Sequence, residues 1–502
     1  MTADDLASPA DVTVDNPARD QLAAIAAGSM SARELLDLHL ARIEQVNPVV
    51  NAIVSLDVDR ARAAAAEADE RQARREPLGP LHGLPFAFKD THEVAGWRTT
   101  FGSPLMADHV SARDDLVVER IRVAGAVPIG KTNVPEWAAG SHTFNPIFGT
   151  TRNPYDPTRS AGGSSGGAAA ALASGMVPLA DGSDMGGSLR NPASFCNLVG
   201  LRPSLGRVPA WPTTNLWETT GVTGPMARTV NDLALLLSVI AGPDPRVPTA
   251  SVTPGATFVP PLTGELRGLR VAHSVDLGGA FDVDRQVREV VDAQAAVLAD
   301  AGAVVTEAYP DLVRADETFR TLRAWKFQDA FGDLLAKHPD GFKPALADNI
   351  RAGADLTGRD IARAYTDRTR LGERMRRFFE SYDLLVMPVS QVPPFSTEME
   401  YPTEIEGRPQ RSYLDWMRSA YFITVTGCPA ISMPAGFTRE GWPVGLQLVG
   451  PVGSERRLLE IAAAYERLTD AGRVRPPLAR SASVAGDPGG VESSATYERE
   501  PD

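Results

Sequence analysis

Residues 159–209 read RSAGGSSGGAAAALASGMVPLADGSDMGGSLRNPASFCNLVGLRPSLGRVP, with glycine and serine clustered at Gly162–Gly167 and again at Gly186–Ser188. Glycine loses more backbone freedom on folding than any other residue, so a core holds it in clusters only where backbone must come close to something. Between the clusters lie a small-residue helix pattern, Ala168–Ser174, and a short apolar run, Val177–Ala180. Glycines let backbone N–H groups converge on a ligand, and serines among them can act as nucleophiles. Chemistry on an acyl group is therefore the first reading to test.

The string Gly162-Gly163-Ser164-Ser165-Gly166 contains the GxSxG pattern of a nucleophile elbow. That elbow requires an acidic residue and then a histidine further along the chain. His273 and His338 are the only histidines after the cluster, one at the end of a strand pattern and one in the polar turn KHPDG. A phosphate loop has less support, because no Gly-Lys-Ser/Thr ends the cluster. The other available base is lysine. Lys89 follows the apolar run LPFAF directly, and Lys131 ends VPIGK in the same way. Lysine at the end of a buried strand is desolvated, its pKa falls, and it becomes a usable base. Position alone does not choose between the two.

The 502 residues carry 50 Lys and Arg against 63 Asp and Glu, a formal charge of −13. That balance argues against nucleic acid or an anionic membrane as the main partner. With 43% hydrophobic and 23% charged residues the chain can bury a sizeable core. Cys196 and Cys428, each among small or apolar residues, read as two buried thiols of a reducing compartment. Neither CxxC nor HExxH occurs, so no metal and no cofactor is expected. The acidic N-terminus does not look like a secretory signal, and no apolar run is long enough to span a membrane. These features lead to the expectation of a cytoplasmic protein.

Residues 1–15 are expected to form a disordered leader and 481–502, rich in Ser, Gly, Pro and Glu, a disordered tail. Between them, 16–480 reads as one α/β domain with a central mixed sheet flanked by helices. Ser31 and Glu34 form a capping box ahead of a helix carrying Leu35, Leu36, Leu40 and Ile43. Asp57–Arg75, Leu116–Val123, Val287–Leu298 and Leu458–Tyr465 read as helices, the last being the final one. Leu84–Phe88, Ala126–Ile129, Leu269–Ala272 and Leu384–Pro388 read as buried strands. Ala430–Pro434 and Gly445–Val449 form a hairpin pattern with Glu440-Gly441 in its turn. Residues 315–380 are a helical excursion expected to cover a site.

Gly162–Pro203 resembles the signature of the amidase signature family, and LHGLPFAFKD, GKTNVPEWAAG, FGTTRNPYDP, GCPAISMPAGF and PVGLQLVGP resemble its other segments. The resemblance covers roughly residues 20–470. It implies a Ser–Ser–Lys triad: Ser188 in GGSLRNP as nucleophile, Ser164 as a bridging serine preceded by a cis peptide bond, and Lys89 as base. Lys131 then becomes structural. Met185, Gly186, Gly187 and Ser188 match the backbone donors of an oxyanion hole, while Ser165, Asp184 and Arg190 fall on supporting positions. Ser160-Ala161 stands where Ser-Pro is common, and Asn191 where the ammonia-producing amidotransferase subunits usually carry Gln.

The resemblance implies a stand-alone hydrolase of carboxylic amides, bulky or aryl ones by preference, working through a seryl acyl-enzyme. The alternatives are an esterase or carbamate (urethane) hydrolase with the same triad, or a protein like the ammonia-producing subunit of an amidotransferase. The partner expected is a small-molecule amide, ester or carbamate, and the chain itself a monomer or homodimer. Pocket walls are expected from Trp137, Ala138, Ala139, Gly140, Phe144, Trp211 and the 315–425 region. The small residues leave room near the scissile bond, and the aromatics favour an apolar group.

Overall fold

The computed structural model describes residues 12–480. One large mixed sheet organises them. Its eight strands run in the spatial order Val304–Glu307, Arg270–His273, Leu384–Pro388, Pro443–Val449, Ala430–Phe437, Val199–Arg202, Val222–Ala227 and Ala180–Asp184. The first three are mutually parallel and every later pairing is antiparallel. The expected hairpin pairs Ala430 with Val449 and turns at Gly441, whose φ is +86°. A smaller sheet places Val127–Thr132 between Ile53–Leu56 and Pro85–Lys89, the latter parallel to it. The two sheets meet where Asp181 Oδ1, on the edge strand of the large sheet, accepts from the Lys89 backbone N–H at 3.0 Å.

Small residues allow this junction. The helix Gly166–Ala173 is GGAAAALA, and all eight residues are buried. A Cβ on Gly167 would stand 2.3 Å from the Asn133 nitrogen, so only glycine lets this helix lie against the small sheet. The core runs across the junction in two clusters. Phe86, Phe88, Val199, Leu201 and Leu446 belong to the large cluster, and the Ala168–Ala173 run to a second one with Ile129 and Leu189.

The excursion resolves into three helices, Ala315–Lys337, Pro344–Ala354 and Gly358–Ser381. Thr357 and Asp360 cap the third reciprocally, as Ser31 and Glu34 cap Ala32–Val50. Two boundaries differ from expectation. Val14 is buried, and Arg228 donates to the carbonyls of Val14 and Asn16, so the folded body starts before residue 16. A short helix, Pro477–Arg480, follows Glu455–Glu466, which is therefore not the last. The rest of the expected leader, 1–11, and the whole tail, 481–502, lie outside the described residues.

Candidate active site

Lys89 ends its strand with the side chain fully buried. Its Nζ lies 2.9 Å from each of three hydroxyls, those of Ser164, Ser165 and Ser183. Burial pushes Lys89 down from the ordinary lysine range to about 7, against the opposing pull of Asp181 and Asp184. An ammonium satisfies all three hydroxyls as a donor. A neutral amine has only two N–H groups, so one hydroxyl must then donate to the nitrogen. Such hydrogen bonds allow a proton to move between a serine hydroxyl and the lysine amine.

Ser164 and Ser165 sit in the loop before the Gly166 helix, where the Gly163–Ser164 peptide is cis. Neighbouring side chains hold that loop by its carbonyls. Ser141 Oγ donates to Gly163 O at 2.6 Å and Thr143 Oγ1 to Gly162 O at 2.8 Å. Asn191 Nδ2 in turn donates to Ser141 Oγ at 3.1 Å. Ser183 comes from the edge strand Ala180–Asp184 and was not among the residues expected in the site. A sequence signal for it exists. Residues two apart on a strand share a face, and Asp181 and Ser183 both contact Lys89, one through its backbone and one through its side chain.

After Asp184 the chain turns through Met185, Gly186, Gly187 and Ser188 into the helix Arg190–Phe195. Gly187 has a φ of +108°, and a Cβ there would stand 2.7 Å from Ala420 Cβ. The turn is held from beneath by Asp184, which is buried and accepts from the N–H groups of Gly187 at 3.0 Å and Leu189 at 3.2 Å. Arg190 grips the same carboxylate through Nε and a terminal nitrogen at 2.9 and 2.8 Å, and Arg202 adds a contact at 3.2 Å. Burial alone would raise the Asp184 pKa, but the two guanidiniums outweigh it and hold the carboxyl far below its usual range. Arg190 also donates to Ala420 O at 2.8 Å and Gln447 Oε1 at 2.6 Å, tying the turn to the large sheet.

Ser164, Ser183 and Ser188 line one cavity of about 290 Å³. Trp137, Met185, Phe319, Phe327, Phe331 and Met417 supply apolar walls, and Ala138, Gly140, Gly186, Ala210 and Ala330 leave them open. Trp137 and Ala138 are both held at positive φ, 51° and 54°, a strained conformation for non-glycine residues beside the site. The helix Ala315–Lys337 contributes Phe319, Arg323, Lys326, Phe327 and Ala330, spaced at helical intervals on one face. The excursion therefore walls the cavity through its first helix.

Three expected wall residues lie elsewhere. Ala139 is turned into a satellite core with Phe327 and Phe342. The Phe144 ring packs beside His142 and lies 5.2 Å from Lys343 Nζ. Trp211 lies under the guanidiniums of Arg246 and Arg113, at 4.6 and 5.6 Å. In each case local polar or aromatic partners claim a side chain that sequence distance alone assigned to the pocket. Lys131 is buried too, but its ammonium binds the His92 carbonyl and Thr99 Oγ1 rather than a serine. His273 faces Asp292 on its strand and His338 caps a helix, and neither lines the cavity. Cys196 and Cys428 are buried free thiols. Among the described residues no helix is long and apolar enough to cross a membrane.

An acylamidase of Rhodococcus erythropolis is 37% identical over 453 residues, covering 89% of this chain and 94% of that protein. A glutamyl-tRNA(Gln) amidotransferase subunit of Synechococcus is 36% identical, covering 90% and 96%. The crystal structure of a bacterial aryl acylamidase of the amidase signature family superimposes with a TM-score of 0.87 at 28% identity, covering 94% of this chain and 99% of that one. The amidase family model matches residues 34–459, and the chain belongs to that family of hydrolases.

Proposed function

We propose that this protein hydrolyses the C–N bond of carboxylic amides through an acyl-enzyme on Ser188, with Ser164 as proton relay and Lys89 as base. The observation that carries the reading is the buried Lys89 amine, 2.9 Å from the Oγ of Ser164, a serine that lines the same cavity as Ser188. Ser188 Oγ attacks the amide carbonyl carbon as its proton passes to Ser164, whose own proton passes to Lys89. The proton then returns along the same relay to the departing amine as the C–N bond breaks. Water deacylates the serine by the reverse route.

The tetrahedral oxyanion is stabilised by backbone N–H groups of the Met185–Ser188 turn, each such donor being worth about 2.7–4 kcal/mol. Because the Gly187 N–H is already committed to Asp184, Met185, Gly186 and Ser188 are the donors we assign. Asp184 and Arg190 act by fixing the turn. The aromatic walls favour aryl or other bulky apolar amides, a preference in keeping with the acylamidase relatives.

A serine-directed fluorophosphonate tests the reading. It should label Ser188, and Ser188→Ala should lose both label and turnover. Label on Ser164 or Ser165, with Ser188→Ala still active, overturns the assignment. The same purified chain, assayed alone on anilides, aliphatic amides, esters and carbamates, separates a stand-alone amidase from an esterase and from an amidotransferase component.

A further inference from the structure

Arg323 is an arginine whose counter-charge is missing. It lies on the cavity-facing side of the Ala315–Lys337 helix, one turn beyond Phe319, and only 6% of its surface is exposed. Three contacts hold the guanidinium: Nε donates to Asn349 Oδ1 at 3.3 Å, one terminal nitrogen to Tyr413 Oη at 2.8 Å, and the other approaches Met185 Sδ at 3.2 Å. Tyr413 Oη donates onward to Asn349 Oδ1 at 3.0 Å, and the Phe327 ring lies 4.2 Å beneath the guanidinium. Every one of these partners is neutral. Three of the five N–H donors are engaged, which leaves two.

The other charges around the cavity each meet an opposite charge. Lys326 is paired with Glu218 at 2.5 Å, and Asp184 with Arg190 and Arg202. Among the described residues no carboxylate pairs with Arg323. A buried charge without a counter-ion is costly, and a guanidinium with two free N–H groups matches a carboxylate in bidentate geometry.

We infer that Arg323 is a specificity residue that binds a carboxylate carried by the amide substrate, in the cavity wall beside Met185. The favoured substrate is then an amide with an apolar body and an acidic end, rather than a wholly neutral anilide. The inference rests on the amidase reading above and narrows its substrate class.

Binding in the full-length Ser188→Ala protein tests it without depending on turnover. The probes are the 4-nitroanilides of succinic and glutaric acid, for a carboxylate on the acyl side, and 3- and 4-acetamidobenzoate, for one on the amine side. Each is compared by calorimetry with the methyl-terminated analogue of the same length. At least one acid should bind ten-fold more tightly than its neutral analogue. Arg323→Met in the same background should erase that preference, and Arg323→Lys, which keeps the charge but not the fork, should retain part of it. Equal binding of all acids and neutral analogues, or a preference that survives Arg323→Met, overturns the inference. Should Arg323→Met fail to fold, equal binding by Arg323→Lys and its parent does the same. Turnover by the unmodified enzyme separates the two claims. Neutral amides hydrolysed without any acid preference leave the amidase reading standing alone. An Arg323-dependent acid preference with no amide hydrolysed leaves the anion site standing and removes the amidase reading.

Discussion

Replacing Ser183 by alanine removes one of the three hydroxyls that meet Lys89 Nζ. A hydrogen bond to a charged group contributes about 1.5–3 kcal/mol, and one between neutral groups about 0.5–1.5 kcal/mol. The lost contact therefore favours the ammonium over the amine by about 1–1.5 kcal/mol, or about one pKa unit. Burial already brings Lys89 down to about 7. Without Ser183 it should titrate near 6, a shift of about one unit. In the proposed mechanism the base is the neutral amine, so activity should fall as pH drops through the lysine pKa. The acid limb of kcat/KM should accordingly move from near 7 in the parent to about one unit lower in Ser183→Ala. The assay is a pH profile on a chromogenic anilide between about pH 5 and 9, a range set to bracket both limbs. Ser164→Ala, which breaks the relay itself, should instead lose activity at every pH. A limb that stays in place or moves upward in Ser183→Ala would refute the hydrogen-bond argument. So would a loss of rate as complete as that in Ser164→Ala.

The buried lysine also has a stability signature. The unfolded chain binds a proton at Lys89 up to the usual lysine range while the folded one releases it near 7, so the penalty for burying it is complete below pH 7 and relieved as pH rises toward 10. Lys89→Met should resist denaturant better than the parent at pH 7, by up to about 4 kcal/mol, with the gap closing toward pH 10. Asp184→Asn leaves Arg190 and Arg202 buried without a counter-charge and should cost about 3–5 kcal/mol in urea unfolding. His273→Ala and His338→Ala should keep turnover within two-fold (about 0.4 kcal/mol), and a large loss in folded protein would restore a histidine base. Ala330→Phe should depress kcat/KM for bulky anilides more than for acetamide, since it narrows the cavity; an equal loss on both would place the bound substrate elsewhere.

Local pattern made the chemical frame readable. An apolar run ending in lysine, two glycine clusters and a capping box each report on residues near in sequence, and Pro85–Lys89, the Gly166–Ala173 helix and Ala32–Val50 stand where those patterns place them. The large sheet was only partly visible. Val199–Arg202 and Val222–Ala227 contain glycine, proline or arginine that breaks an apolar run, yet each is fully buried because its neighbours on both sides are strands. The cavity wall was the least readable part. Phe319, Arg323 and Phe327 share a cavity with Ser188 through tertiary packing, and no local rule separates a helix face that meets a cavity from one that meets core. Trp211 illustrates the converse. Its size suggested a pocket wall, but Arg246 and Arg113 are better partners than a cavity would be.

Two supports of different origin hold the reacting groups. Lys89, Ser164 and Ser183 belong to three segments, and the hydrogen bonds of Lys89 to both serines and to Asp181 join the small sheet to the edge of the large one, beside the core that Phe86 and Phe88 share with Val199 and Leu201. A shift between the sheets would change how many hydroxyls reach the amine, and with it the strength of the base. Arg190 fixes the large-sheet side of that junction by binding Asp184 beneath the turn while reaching Gln447 in the same sheet and Ala420 in the helix Arg418–Thr426. The wall helix is anchored separately: Phe319 stacks on Tyr421 at 4.2 Å, and Arg320 pairs with Asp415 at 2.5 Å. Neither anchor touches the lysine cluster. Substitutions on the cavity face of Ala315–Lys337 should therefore alter which amide is held more than they alter the proposed proton relay, because the Lys89 amine bonds to Ser164, Ser165 and Ser183 and to no residue of that helix.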